Sequence, residues 1–179
     1  MKSDEGHPLM TGVRRADNVH PQPWRLSPSF KLDEFTRSTL AARLGIDNEP
    51  NEEELENLRS FCLHLAEPLR AEFGPLFVSS GLRVHALNNR IPGSSSSSAH
   101  TWGGAFDCKP LDTTVRLASM VEWVRHSDLP FDQVILEYNS WMHLGARRLG
   151  DDREPRRQAL MKFSGTRYIP FDLSDERVR

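Results

Sequence analysis

Ser98-Ala99-His100-Thr101-Trp102-Gly103-Gly104-Ala105-Phe106-Asp107 is the stretch on which the reading of this chain turns. A histidine and, seven residues on, an aspartate flank a glycine pair, and Asp107 falls in the apolar run Ala105 to Lys109, which reads as a central strand. Alternation along that strand points Asp107 away from Phe106 and Cys108. A carboxylate left unpaired in a dry interior is costly, so Asp107 requires a cation or metal beside it. A second segment, Glu137-Tyr138-Asn139-Ser140-Trp141-Met142-His143, supplies another imidazole near a carboxylate. Two imidazoles and one carboxylate make three protein ligands for Zn²⁺ with a fourth position left open, the composition of a catalytic rather than a structural zinc site. The residues therefore predict a zinc hydrolase. Gly103 and Gly104 are expected to let the backbone come close to the metal or substrate, and Ser98 to hydrogen-bond around His100.

At 179 residues the chain suits one domain with a real core. Hydrophobic residues make up 37% and charged residues 27%, and no apolar run approaches the length of a membrane span, so a soluble protein with no membrane partner is expected. Met1 to Arg25 lacks a charged start followed by an apolar segment, so no secretory signal is expected. The formal charge of -2, with no basic stripe interleaved with aromatics, argues against nucleic acid. Arg147, Arg148, Arg153, Arg156 and Arg157 cluster, but Asp151, Asp152 and Glu154 are mixed among them, and the segment reads as a solvated loop. Cys62 and Cys108 read as buried thiols without chemistry.

Upstream of the motif, residues 1–29 are polar and proline-rich and read as a tail lying along the domain, with His7 and His20 as surface histidines. Leu32, Phe35, Leu40 and Leu44 form a first short helix that Gly45 stops. Asn51 and Glu54 make a capping box that opens a second helix, whose apolar face is Leu55, Leu58, Cys62, Leu65, Leu69 and Phe73. Pro68 is expected to bend it, and His64 to be a partly buried helix histidine. Leu76 to Ser80 is a strand, Arg83 follows in a turn, Val84 to Arg90 is a short helical stretch, and Ser94 to Ser98 is a loop suited to a rim or lid.

Downstream, Asp112 is expected to cap a third helix with Val115, Ala118, Val121 and Val124 inside and Trp123 and His126 at its edge. Val134 to Tyr138 and Trp141 to Leu144 are strand-like runs around a hairpin signal, with Trp141 and His143 on one face and Met142 and Leu144 on the other. Ala159 to Phe163 and Arg167 to Phe171 read as a last pair of edge strands. The expected architecture is α+β: a small central antiparallel sheet carries the zinc site and about three helices flank it. The domain spans 30–171, and 172–179 is a charged C-terminal tail.

The pattern Ser98-x-His100-x-x-Gly103-x-Ala105-x-Asp107, with Ser80-Gly81-x-Arg83 before it and Trp141-x-His143 after it, resembles the zinc D-alanyl-D-alanine carboxypeptidases and their phage-encoded peptidase relatives. Those share a fold with lysostaphin and the hedgehog signalling domain, and the likeness runs from about Phe30 to Phe171. The resemblance implies His100, Asp107 and His143 as zinc ligands, with Ser80, Ser98 and Trp141 around them. It implies Arg83 as the arginine that contacts the substrate carboxylate or the developing oxyanion. The function so implied is a metallopeptidase that cleaves bacterial peptidoglycan stems with zinc-activated water, as a carboxypeptidase or an endolysin-type endopeptidase. A monomer is expected, made in the cytoplasm and acting on the wall after release or as part of a virion.

One position does not carry over. Several branches of the family have a carboxylate three residues before the last ligand, here Ser140; another has a histidine two before it, here Trp141. Glu137 is the candidate general base. A three-residue loop, Asn139 to Trp141, would pair it with His143, whereas a two-residue loop would pair it with Met142 and turn it away. The alternative function is a catalytically weak or inactive zinc-containing module that binds the cell wall or belongs to a phage virion or tail.

Overall fold

Cross-strand pairing decides where the chemistry of this chain comes together. The computed structural model describes residues 24–165 and 167–178, so His7 and His20 lie outside the described residues. Its sheet runs in the order β1 (Leu76–Ser80), β2 (Ala105–Pro110), β4 (Trp141–Gly145), β3 (Gln133–Glu137), β5 (Gln158–Lys162), β6 (Ile169–Pro170). Neighbours are antiparallel except β3 and β5, which are parallel, and β2 stands one strand in from the edge. The architecture is the expected α+β one, with a single parallel pair. That pair exists because the long segment from Ala146 to Arg157 returns the chain to β3 in the same direction, a connection no tight hairpin supplies.

One face of the sheet is core. Phe106, Cys108, Val134, Leu136, Met142 and Leu144 are all fully buried there, as period-2 alternation demands. Against them pack Phe30, Phe35 and Phe61; Phe35 stacks on Phe106 with ring centroids 6.0 Å apart, and Phe61 meets Phe106 edge-on at 5.1 Å. Each such ring contributes about 1.5–3 kcal/mol on burial and about 0.5–1.5 kcal/mol more per aromatic pair. Asp107 therefore lies on the strand that is most firmly held from behind. Leu26 and Val178 also join this core, so chain on both sides of residues 30–171 packs on the body.

The helices form for local reasons. Asn51 accepts from the Glu54 N–H at 2.9 Å while Glu54 accepts from the Asn51 N–H at 2.9 Å, the expected capping box, and α3 (Glu52–Phe61) follows. Pro68 leaves its mark as a π-helical turn at Cys62–Ala66, where the Glu67 N–H reaches the Cys62 carbonyl before α4 (Glu67–Phe73) begins. His64 is exposed, not partly buried, because it points away from the Cys62, Leu65 and Leu69 stripe. The first helix is two pieces, α1 (Leu32–Thr36) and α2 (Thr39–Leu44), the second capped by Ser38. A four-residue helix, α5 (His85–Asn88), follows Arg83. Asp112 binds the Thr114 N–H and hydroxyl in a local turn, and α6 (Leu117–His126) starts later, after Arg116. Among the described residues no helix is long and apolar enough to cross a membrane.

Gly103 ends a short 3₁₀ turn, Ala99–Trp102, with φ at 79°. A Cβ there would lie 2.6 Å from the Glu54 carbonyl and 2.9 Å from Leu58 Cγ, and one at Gly104 would overlap the Trp102 ring. The glycine pair thus lets the motif close on α3 and on Trp102; it is not there to clear space for metal or substrate. Gly150 has φ at 80° with nothing near its absent Cβ. Gly150→Ala should therefore cost about 1 kcal/mol from backbone strain, and Gly103→Ala at least about 1 kcal/mol more. Urea midpoints compare the two, and equal losses would show that the contact with α3 is soft.

Candidate metal centre

The face of the sheet opposite the core forms the floor of an open cleft of about 1040 Å³. Register sets its contents. Asp107 pairs with His143 across β2 and β4, and His143 pairs with Ile135 across β4 and β3. His100 comes from the 3₁₀ turn above, almost wholly buried. Its Nδ1 donates to the Gly81 carbonyl at 2.6 Å, which fixes the tautomer and turns Nε2 toward the other two side chains. Nε2 of His100 lies 3.1 Å from His143 Nδ1 and 3.3 Å from Asp107 Oδ1, and the last two are 2.9 Å apart.

Three atoms with lone pairs thus face one point, with at most the His143 ring proton among them. For bonds of about 2.0–2.2 Å a tetrahedral ion spaces its ligands about 3.3–3.5 Å apart, and the observed triangle is only slightly tighter. The set can hold a metal ion, and its two nitrogens and one oxygen suit zinc. Burial lowers the His100 pKa and so favours the neutral imidazole that a metal needs. Burial would raise Asp107, but the two histidines hold it well below the usual carboxylate range.

The other expected site residues fall into place unequally. Arg83 enters the cleft, donating to Ser98 Oγ at 3.1 Å; burial lowers its pKa against the opposing charges of Asp107 and Glu137. Ser98 therefore orients the guanidinium, while His100 is supported by the Gly81 carbonyl. Ser80, opposite Asp107 in β1, is not among the residues lining the cleft; its neighbour Ser79 donates to the Asp107 carbonyl at 3.0 Å across a register shift. Trp141 lines the cleft and packs on Tyr138, their centroids 5.4 Å apart.

Glu137 pairs with Trp141 rather than with His143 or Met142, because the loop is Tyr138 to Ser140, with Tyr138 and Asn139 both at positive φ. That register still keeps Glu137 on the cleft face, diagonal to His143, with their backbones about 7–8 Å apart. Burial and then the charge of Asp107 raise its pKa.

Sequence reasoning missed three features here. The segment after Gly145 is the expected solvated loop, but it also has a place in the site: Arg147, Arg148, Arg153 and Arg156 line the open cleft. Lys162 and Tyr168, from the expected edge strands, line it too. Gly81, read only as part of a turn, supplies the carbonyl behind His100. The Ser-Gly-x-Arg spacing was its one signal.

An α+β fold whose cleft brings one imidazole from a 3₁₀ turn together with an imidazole and a carboxylate from the sheet has a site that could hold a metal ion. The family model for Peptidase M15 matches residues 28–145, about two thirds of the chain, and the chain belongs to that family. No curated protein matches it significantly.

Asp132, nearly buried at the cleft edge, accepts from Arg156 at 2.8 and 2.5 Å and faces Arg147 at 3.3 Å. Burial would raise its pKa, but the Arg156 hydrogen bonds and the two positive charges hold it below the usual range. A depressed carboxylate stabilises the fold fully above its unfolded value of about 3.9 and progressively less as the pH falls. The stability gap between wild type and Asp132→Asn should therefore be larger at pH 7 than at pH 3. Urea titrations at the two pH values measure it, and an unchanged gap would refute the ion-pair account.

Proposed function

We propose that this chain is a zinc metallopeptidase that hydrolyses peptide bonds in the peptide stems of bacterial peptidoglycan. The observation that carries the reading is the convergence of His100 Nε2, Asp107 Oδ1 and His143 Nδ1 in an open cleft of a Peptidase M15 family member. Those three side chains would hold the ion. When bound, zinc supplies Lewis acidity, which polarises a peptide carbonyl and makes water nucleophilic near neutral pH.

The chain's own groups do the rest. Glu137 is the general base: it takes the proton of the attacking water and returns it to the leaving amine nitrogen. A carboxylate whose pKa burial has raised suits both halves of that task. Arg83 has one donor on Ser98 and a buried Nε without a partner, so its remaining N–H groups are available to a substrate carboxylate or to the oxyanion. Trp141 and Tyr138 form an aromatic wall for the peptide, and the serine loop, pinned by Asn88, forms the opposite rim.

The zinc-loaded full chain should release stem fragments from purified peptidoglycan, and mass spectrometry of the products identifies the bond. Exhaustive chelation should stop release and added zinc restore it, while His100→Ala should lose both bound zinc and cleavage. Turnover that survives chelation would sink the zinc reading, and wall binding without any release would favour the non-catalytic module. Glu137→Gln should keep zinc and lose about 10²–10⁴-fold in kcat. A near-normal rate in that variant would remove Glu137 as the base.

A further inference from the structure

The cleft holds six cations, and their partners divide them. Arg147 faces Asp132 and Asp151, Arg148 faces Glu53 at 2.6 Å, Arg153 faces Asp151 at 2.8 Å and Arg156 faces Asp132. Arg83 has its task above. Lys162 is left: among the described residues no carboxylate lies within 4.0 Å of its ammonium, although Glu137 is its neighbour in register. Its Nζ donates to Tyr168 Oη at 3.4 Å and sits 4.6 Å from the Tyr168 ring centroid and 5.6 Å from that of Tyr138. Both tyrosines are substantially exposed, and Tyr138 occupies the left-handed region at φ 54°, a conformation disfavoured for a large side chain. The hairpin turn sets that backbone conformation and so carries the Tyr138 ring to one side of Lys162, with Tyr168 as its other aromatic contact.

We infer that Lys162, framed by Tyr138 and Tyr168, is an anion subsite that reads a second carboxylate on the substrate peptide; this rests on the peptidase reading above. Register places the carboxylate. Lys162 is two strands from His143 and two residues further along, so with strands about 4.8 Å apart and about 3.3 Å per residue the two Cα atoms are about 12 Å apart. Extended peptide covers that distance in about three residues. The subsite therefore reads a carboxylate on the third residue or so from the bond that is cut, and it discriminates a free acid from its amide. Lys162 and Tyr168 lie beyond residues 28–145, in a part of the chain that the family match does not cover, while Tyr138 lies within it.

The test uses the stem peptide L-Ala-γ-D-Glu-L-Lys-D-Ala-D-Ala and the same peptide with the glutamate α-carboxylate converted to a carboxamide. Calorimetry on the metal-stripped full chain reads binding without turnover, and kcat/KM on the zinc-loaded chain reads catalysis. Wild type should favour the free acid about tenfold in both. Lys162→Met should shrink the preference to under twofold and Lys162→Arg should keep most of it, with thermal melts confirming that each variant is folded. A wild-type ratio near one, no binding of either peptide, or a preference that survives in Lys162→Met overturns the subsite. Lysine-dependent binding without cleavage would uphold the subsite and sink the peptidase reading; equal cleavage of both peptides would do the reverse.

Discussion

Three side-chain atoms, His100 Nε2, Asp107 Oδ1 and His143 Nδ1, meet within 3.3 Å of one another, and the protein around them holds them there. Two are fixed by sheet register, since Asp107 and His143 are directly opposed across β2 and β4 and cannot part without breaking the ladder. The third is fixed by the hydrogen bond from His100 Nδ1 to Gly81, which sets the ring angle and leaves only Nε2 to face inward. Behind them the Phe30, Phe35, Phe61 and Phe106 cluster braces β2. A divalent ion bound there would engage all three atoms at once, which a single shared ring proton cannot do.

The loops that wall the cleft need their own anchors, and buried asparagines provide them. Asn48 donates to the carbonyls of Thr36 and Leu82 and accepts from the Val84 N–H, so it grips the backbone on both sides of Arg83. Asn88 holds the serine loop through the Ser95 carbonyl and the Ser94 hydroxyl. Asn57 accepts from the Leu149 N–H and ties the arginine-rich segment to α3. A buried amide left without partners is costly, so each of these contacts defines one loop position rather than a range of them.

The parts of this architecture that depend on local chemistry were legible in the sequence. The capping box at Asn51, the strand at Leu76, the alternation that separates His143 from Met142 and the His-Asp-His set all follow from residue type and spacing. Features that depend on who meets whom were not. Nothing in Gly103 itself says that it touches Glu54 and Leu58, and Ser98 carries no mark that it serves Arg83 rather than His100. The hairpin turned on two residues, Tyr138 and Asn139, that adopt positive φ where neither is glycine, which moved the loop by one position. The charged segment after Gly145 is a solvated loop as its mixed signs suggest, but nothing in it says that the same mixture lets Asp132 and Asp151 neutralise Arg147, Arg153 and Arg156 along a cleft wall.

That neutralised wall has an electrostatic consequence. Four arginines close to a metal centre would raise the potential there and weaken its hold on a divalent cation; once each is paired with Asp132, Asp151 or Glu53, most of that field cancels within a few ångströms. Among the described residues the cleft cations without a carboxylate within 4.0 Å, Arg83 and Lys162, then stand out against a more nearly neutral background, and the charge of each acts on Glu137. Pairing the others would thus favour selectivity on the proposed reading, because six free cations would attract any polyanion, whereas two positive points favour a ligand whose negative groups match their spacing.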